Sequence, residues 1–206
     1  MAGYPVDLDV AGRLAVVVGL GAVGRRKAEG LRAAGARVRG VDPRGATWAS
    51  DLDFDLVVAP YDPAHLAGAR LAIAAAAPDV NRRVVRDARA AGILVASASD
   101  PAAGDFAVPA VWRDGPIALA VSTGGASPAL ARALRDRAAA ALGPEAAALA
   151  RLLADLRADL LADPSRAPND RRRALLRAGD PAWLDHLATH GADATRRAIR
   201  QALGLD

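Results

Sequence analysis

The stretch LAVVVGLGAVG, Leu14–Gly24, decides the fold. A wholly apolar run, Leu14 to Val18, meets glycines spaced G-x-G-x-x-G at Gly19, Gly21 and Gly24. A helical pattern, RRKAEGLRAAG, follows at once and closes on Gly35. A second apolar run, RVRGV, ends on Asp42, eighteen residues beyond Gly24. This is the strand, turn, helix, strand, acid order of a dinucleotide-binding unit. Gly19 permits a tight turn straight off the strand, Gly21 lets a pyrophosphate approach bare backbone, and Gly24 lets the helix pack closely on the strand. The free amides and positive end of a helix starting near Ala22 would hold the phosphate charge. Asp42 would accept hydrogen bonds from the adenosine ribose, and a carboxylate there repels a 2′-phosphate. NAD is therefore the expected cofactor. Arg44 is the competing feature, because a nearby guanidinium could hold that phosphate.

The chain has 206 residues, enough for one medium domain or a domain with a smaller appendage. Hydrophobic residues make up 52% and aromatics only 3%, so the core must be built from Ala, Val and Leu. Lys27 is the sole lysine, and the net charge of +4 is spread out rather than gathered into a tract with interleaved aromatics, so no nucleic-acid partner is expected. An anionic small substrate fits the basic balance at least as well. With no cysteine, disulfides, thiolate metal sites and cysteine nucleophiles are excluded. The opening MAGYPVDLDVAG lacks the pattern of a signal peptide, and no apolar run reaches the ~20 residues that span a bilayer. No membrane association is expected, and the expected address is cytoplasmic.

Further along, residues 43–54 read as a loop or irregular connection, and Asp55 to Ala59 as a third strand. ARLAIAAAA, residues 69–77, fits strand or helix; its place after a βαβ unit favours a buried parallel strand, ended by Pro78. Asp79 or Asn81 could cap the helix VNRRVVRDARAAG, and Ile93 to Ser97 is the next strand. The expected architecture is α/β: a compact parallel sheet that ends near residue 112, then a further strand and helix, and a wholly helical region from Glu145 onward. Breaks in that last region fall at residues 164–168, 179–181 and at Gly191. Leu149, Leu152, Leu153, Leu156 and Leu160 share one face of its first helix.

A second glycine turn, STGGASPALARALRDR, spans residues 122–137. A strand, Ile117 to Val121, runs into Gly124 and Gly125, with Ser127 where an N-cap belongs and Pro128 at the first helical position. Backbone amides and the Ser122, Thr123 and Ser127 hydroxyls could bind an anion there; a capped helix at a dimer interface is the competing reading.

Four stretches together carry a family resemblance: residues 4–38, residues 80–95 (VNRRVVRDARAAGILV), SDPAAGDFAVPA at 99–110 and GPIALAVSTGGASPALARALRDR at 115–137. The chain resembles the siroheme synthase dehydrogenase/chelatase family, the precorrin-2 dehydrogenases with or without sirohydrochlorin ferrochelatase activity. The resemblance implies an NAD-binding Rossmann-like domain over residues 1–112, a small dimerisation segment over 113–143 and a helical C-terminal region over 144–206, together with a homodimer and oxidation of precorrin-2 to sirohydrochlorin with hydride transfer to NAD. In bifunctional members metal insertion follows, with Fe²⁺ or Co²⁺ as substrate.

The resemblance also assigns residues. Asp100 in SASDP is the implied catalytic carboxylate, able to take a proton from the macrocycle; Asp105 is the nearby rival, and an Asp-Pro turn is the commoner use of such a residue. Nucleotide contacts map to Gly19, Gly21, Ala22, Val23 and Gly24, then to Asp42, Pro43 and Arg44. The many carboxylates of the tetrapyrrole call for arginine partners. Arg113 and Arg132 are candidates beside Ser122, Thr123, Gly124, Gly125 and Ser127, as are Arg135 and Arg137. No metal site is expected: His186 and His190 are four apart, but no third ligand accompanies them. Shortened connections around the cleft motivate an alternative, a nucleotide-binding regulatory module that keeps the fold without turnover. A generic NAD(P) oxidoreductase is a third reading, which no Tyr-x-x-x-Lys pair supports.

Overall fold

The structure, a computed structural model, describes residues 3–46, 48 and 54–205. Of the connection expected over 43–54, residues 47 and 49–53 lie outside the described residues. The chain divides into two compact units, Met1–Val108 and Pro109–Asp206.

The first unit is a parallel five-stranded sheet in the order β3-β2-β1-β4-β5. Its strands are β1 (Leu14–Val18), β2 (Arg37–Val41), β3 (Asp55–Val57), β4 (Leu71–Ala74) and β5 (Leu94–Ser97), with helices α1 (Ala22–Ala33) and α2 (Pro78–Ala90). Successive strand residues point to opposite faces. Val16, Val18, Ala72 and Ala74 therefore join Val84, Val85 and Ala88 of α2 in one core layer. Ala15, Val17, Leu71 and Ile73 join Ala28 of α1 and Val38 in the other. Both faces of the sheet are buried, so its strands are continuous apolar runs rather than alternating ones. The ambiguous alanine-rich run holds β4, buried throughout. Pro78, rather than only ending that strand, is the first residue of α2, where its missing N–H costs nothing.

From β1 the chain crosses through α1 to β2 on one side; from β4 it crosses through α2 to β5 on the other. The strand order reverses between β1 and β4, and the crevice outside the carboxyl ends of such neighbours is where open α/β sheets bind ligands.

The second unit opens with an antiparallel hairpin, β6 (Ala110–Asp114) and β7 (Ile117–Val121), against which α3 (Pro128–Leu142) packs. Position 112 thus falls inside β6, a strand that the reading of the sequence did not expect. Gly115 at φ +51 followed by Pro116 makes the type II′ pattern that joins twisted strands. The helices α4 (Glu145–Ala162), α5 (Pro168–Ala178) and α6 (Ala182–Leu203) pack around Leu149, Leu152, Leu156, Leu160, Leu187 and Ile199. Leu153, expected on the same face, is partly buried at its margin. Gly191, at φ +77, interrupts α6 where a break was expected.

Candidate functional site: two glycine turns and an exposed carboxylate

At the carboxyl end of β1, Gly19 adopts φ +90, and a Cβ there would meet the Ala75–Ala76 backbone at 2.5–2.6 Å. A Cβ on Gly24 would collide with the Gly19 carbonyl. Both positions admit only glycine, for opposite reasons: one presses the turn against the neighbouring strand end, the other presses the helix against the turn. Gly21 differs, because a Cβ there would meet no protein atom within 4 Å. Gly21 is also the N-cap of α1 and supplies no side-chain cap. The first-turn amides, with Ala22 and Val23 exposed and Gly24 buried, are left for an outside acceptor. A dinucleotide pyrophosphate fits this turn.

Leu20, between the first two glycines, is pinned at both backbone groups. Its N–H donates to Asp42 Oδ2 at 2.8 Å, and its carbonyl accepts from the Trp48 indole at 3.3 Å. Asp42 Oδ1 accepts from the Arg44 N–H at 2.9 Å, and the Arg44 guanidinium lies 3.5 Å away. Asp42 is buried, at 4% exposure. Burial alone would raise its carboxyl, but the hydrogen bonds from Leu20 and Arg44 and the Arg44 charge outweigh burial and hold it below the ordinary carboxylate value. Asp42 therefore first organises the glycine turn, a role the sequence reading did not assign it. Pro43 is exposed, and the side chain of Arg44 is 84% exposed at the rim. Trp48, also missed, extends the wall: it lies edge-on to Phe54 and beneath the Arg25 guanidinium.

Beyond β5, Asp100 is exposed and caps a short 3-10 turn, Pro101–Ala103, with Oδ1 accepting from Ala102 N–H at 3.2 Å. Its own N–H donates to Ser97 Oγ at 3.2 Å. Among the described residues Oδ2 has no hydrogen-bond partner. Asp105 is committed elsewhere: it accepts from Val95 N–H at 3.0 Å and pairs with Arg89 at 2.9 Å, closing the outer edge of β5. Of the two carboxylates, only Asp100 keeps an oxygen free for chemistry.

Asn81 caps nothing. It is buried, and its amide bonds both backbone groups of Ala76 and the Ser99 hydroxyl.

The second glycine turn lies in the second unit. Thr123 Oγ1 accepts from Ser127 N–H and donates to Ser127 O, both at 3.1 Å. Ser122 Oγ accepts from Gly124 N–H, and Ser127 Oγ caps α3 by accepting from Leu130 N–H, each at 3.2 Å. Gly124 and Gly125 take φ +64 and +92. Arg113, Arg132 and Arg137 are exposed, while Arg135 reaches Val111 O and pairs with Asp136. His186 bonds Thr195 Oγ1 at 2.9 Å and stacks on His190; no group of three metal-ligating side chains occurs among the described residues. No helix of those residues is long and apolar enough to cross a membrane.

A parallel sheet with a glycine turn at its switch point defines a dinucleotide-binding class of protein. Residues 6–110 match the family model described as "Putative NAD(P)-binding", and residues 114–139 match that of the sirohaem biosynthesis protein central segment. A siroheme synthase from Gluconacetobacter diazotrophicus is 35% identical over 97% of the chain, and one from Chromobacterium violaceum is 40% identical over 65%. The chain spans 43% of the first and 30% of the second, less than half of each relative. A solved structure, SirC, precorrin-2 dehydrogenase, covers 99% of the chain with a TM-score of 0.78 at 22% identity, and so shares the fold. The chain belongs to the family described as "Putative NAD(P)-binding" and carries the sirohaem biosynthesis central segment directly after that domain.

Proposed function

We propose that this chain oxidises precorrin-2 to sirohydrochlorin with NAD as acceptor. The observation that carries the reading is the uncapped start of α1: Gly21 opens onto free space at the switch point, and Asp100 stands at the carboxyl end of the same sheet. Bound there, the nicotinamide supplies a hydride acceptor. The chain's part is to hold the diphosphate on the Gly21–Gly24 amides and to receive the released proton at Asp100 Oδ2. Hydride and proton together account for the two electrons lost by the macrocycle. The buried negative charge of Asp42 supports NAD over NADP, against the exposed Arg44 guanidinium. Arg113 and Arg132, the hydroxyl hydrogens of Ser122 and Ser127, and the Gly125 amide are the proposed carboxylate contacts. Thr123 is spent within its own turn.

A homodimer is part of this reading. Over residues 109–143 only Ala131 is buried, while Leu130 and Leu134 are 50% and 44% exposed on α3. A hairpin and helix with so little core need a second surface. The same reading places the protein in the cytoplasm.

Incubation with precorrin-2 and NAD, followed by sirohydrochlorin absorbance, tests the activity. Asp100→Ala is expected to keep cofactor affinity and lose at least about a hundredfold in turnover; a wild-type rate in that variant removes Asp100 from the mechanism. A wild-type chain that binds NAD without turnover is instead the regulatory module. The same carboxylate is competent to receive pyrrole protons as metal enters, so repeating the assay with Fe²⁺ and Co²⁺ tests chelation.

A further inference from the structure

Asn81 lies at the first turn of α2, yet it is 1% exposed and all of its amide hydrogens are bonded inward. The orientation of the amide follows from its partners. Ala76 N–H needs an acceptor, which fixes Oδ1 there at 2.8 Å; Nδ2 then donates to Ala76 O at 3.0 Å and to Ser99 Oγ at 2.9 Å. These partners belong to different loops. Ala76 follows β4, and its backbone is what a Cβ on Gly19 would strike, so it buttresses the nucleotide turn. Ser99 follows β5 and immediately precedes Asp100. Asp100 is held on its other side by Ser97 Oγ. One buried amide thus ties the wall behind the glycine turn to the loop that presents the carboxylate. Ser99 Oγ accepts this bond, and among the described residues its own hydrogen has no acceptor.

We infer that Asn81 is a positioning residue that sets Asp100 relative to the nucleotide turn through Ser99. The inference rests on the proposed dehydrogenase reading for its kinetic consequence, and on the hydrogen bonds alone for its mechanical one. Here the Ala76 pair anchors the fold, whereas the Ser99 bond adds only the link to Asp100, so the two roles can be cut apart.

The cut is Ser99→Ala, which leaves the Ala76 pair intact; Ser99→Thr restores the hydroxyl. In Ser99→Ala, kcat for precorrin-2 oxidation is expected to fall roughly ten- to hundredfold, as misplacement of a catalytic group does. The Kd for NAD, measured by calorimetry, should stay at the wild-type value, Tm should fall by no more than the loss of the one Asn81–Ser99 hydrogen bond, and Ser99→Thr should recover both kcat and Tm. Amide hydrogen exchange supplies a readout that needs no turnover. Residues 98–103 should exchange faster in Ser99→Ala than in wild type without cofactor, and NAD should protect them in wild type but not in the variant. Wild-type kcat in Ser99→Ala, unchanged exchange over 98–103, or a loss of kcat tracking a loss of Tm that Ser99→Thr does not recover would each overturn the inference. A wild-type chain without dehydrogenase turnover would sink the functional reading instead, leaving the exchange comparison to decide the link. Asn81→Ala, which also strips Ala76 of its partners, should in contrast lower both Tm and NAD affinity.

Discussion

The two glycine turns resemble each other in sequence and differ in what they leave unsatisfied. The first, Gly19–Gly24, opens a helix whose N-cap is a glycine with no side chain to offer. The second, Ser122–Ser127, opens a helix that begins on Pro128, which has no N–H, and whose Leu130 amide is met by Ser127 Oγ; Ser122 and Thr123 meanwhile accept the Gly124 and Ser127 amides of the turn itself. A helix start binds an outside anion in proportion to the donors its own cap leaves free. The first turn is therefore open and braced from outside by Asp42 and Trp48, while the second is largely closed and braces itself.

The strongest way to break this contrast is to add one methyl group to each turn. Gly24→Ala should cost about 3 kcal/mol, because the new Cβ collides with the Gly19 carbonyl; denaturant unfolding measures it. Gly125→Ala meets nothing within 4 Å and should cost only the left-handed backbone strain, about 1–2 kcal/mol.

Gly21→Val separates space from stability. With no protein atom near its Cβ, the change should cost only the preference of an N-cap for glycine over valine, about 1 kcal/mol by unfolding. Calorimetry should nevertheless show at least a roughly tenfold weaker NAD complex, about 1.4 kcal/mol. Unchanged affinity would mean the open turn is not the phosphate site.

Asp42→Asn sharpens the bracing. An amide can accept from only one of the Leu20 and Arg44 N–H groups and turns an NH₂ toward the other, at a cost of about 1–3 kcal/mol. The pH dependence follows from the depressed carboxyl. The folded state releases this proton more readily than the unfolded chain, so the stability it contributes is present above the ordinary value of 3.8 and is lost as pH falls through the lower folded value. Acid unfolding curves should be flatter over that window in the variant.

The smallest effect is expected from Ser127→Ala, which removes the cap of α3 for about 1 kcal/mol. It should leave NAD affinity untouched, because the proposed cofactor contacts all lie within residues 19–44.

The legible parts of the molecule were those where one residue type has one physical use. The glycine spacing, the period of the strands, and Ser127-Pro128 at a helix start all have local causes, and β1, β2, α1 and α3 follow from them. The hairpin strand β6 was missed although a two-residue Gly115-Pro116 connection is a hairpin signal, because Trp112-Arg113-Asp114 looks like the polar end of a domain. The inward roles of Asp42 and Asn81 were not legible. A polar residue at a strand end or a helix start has a ready local use, and only the fold brings Leu20 beneath Asp42 and Ser99 beside Asn81. Nor does spacing show that Asp105 is taken by Arg89 while Asp100 is not, since that choice depends on a contact between α2 and the loop after β5.

Trp48 makes the first turn observable. Its indole donates to the carbonyl of Leu20, the residue just before Gly21, where the turn opens for a diphosphate. A ligand that shifts that carbonyl changes the polarity felt by the indole, and a reduced nicotinamide nearby would quench its emission by energy transfer. The other two tryptophans, Trp112 and Trp183, belong to the second unit. Replacing both with phenylalanine would leave a chain whose intrinsic fluorescence reports cofactor arrival at one turn, without any attached dye.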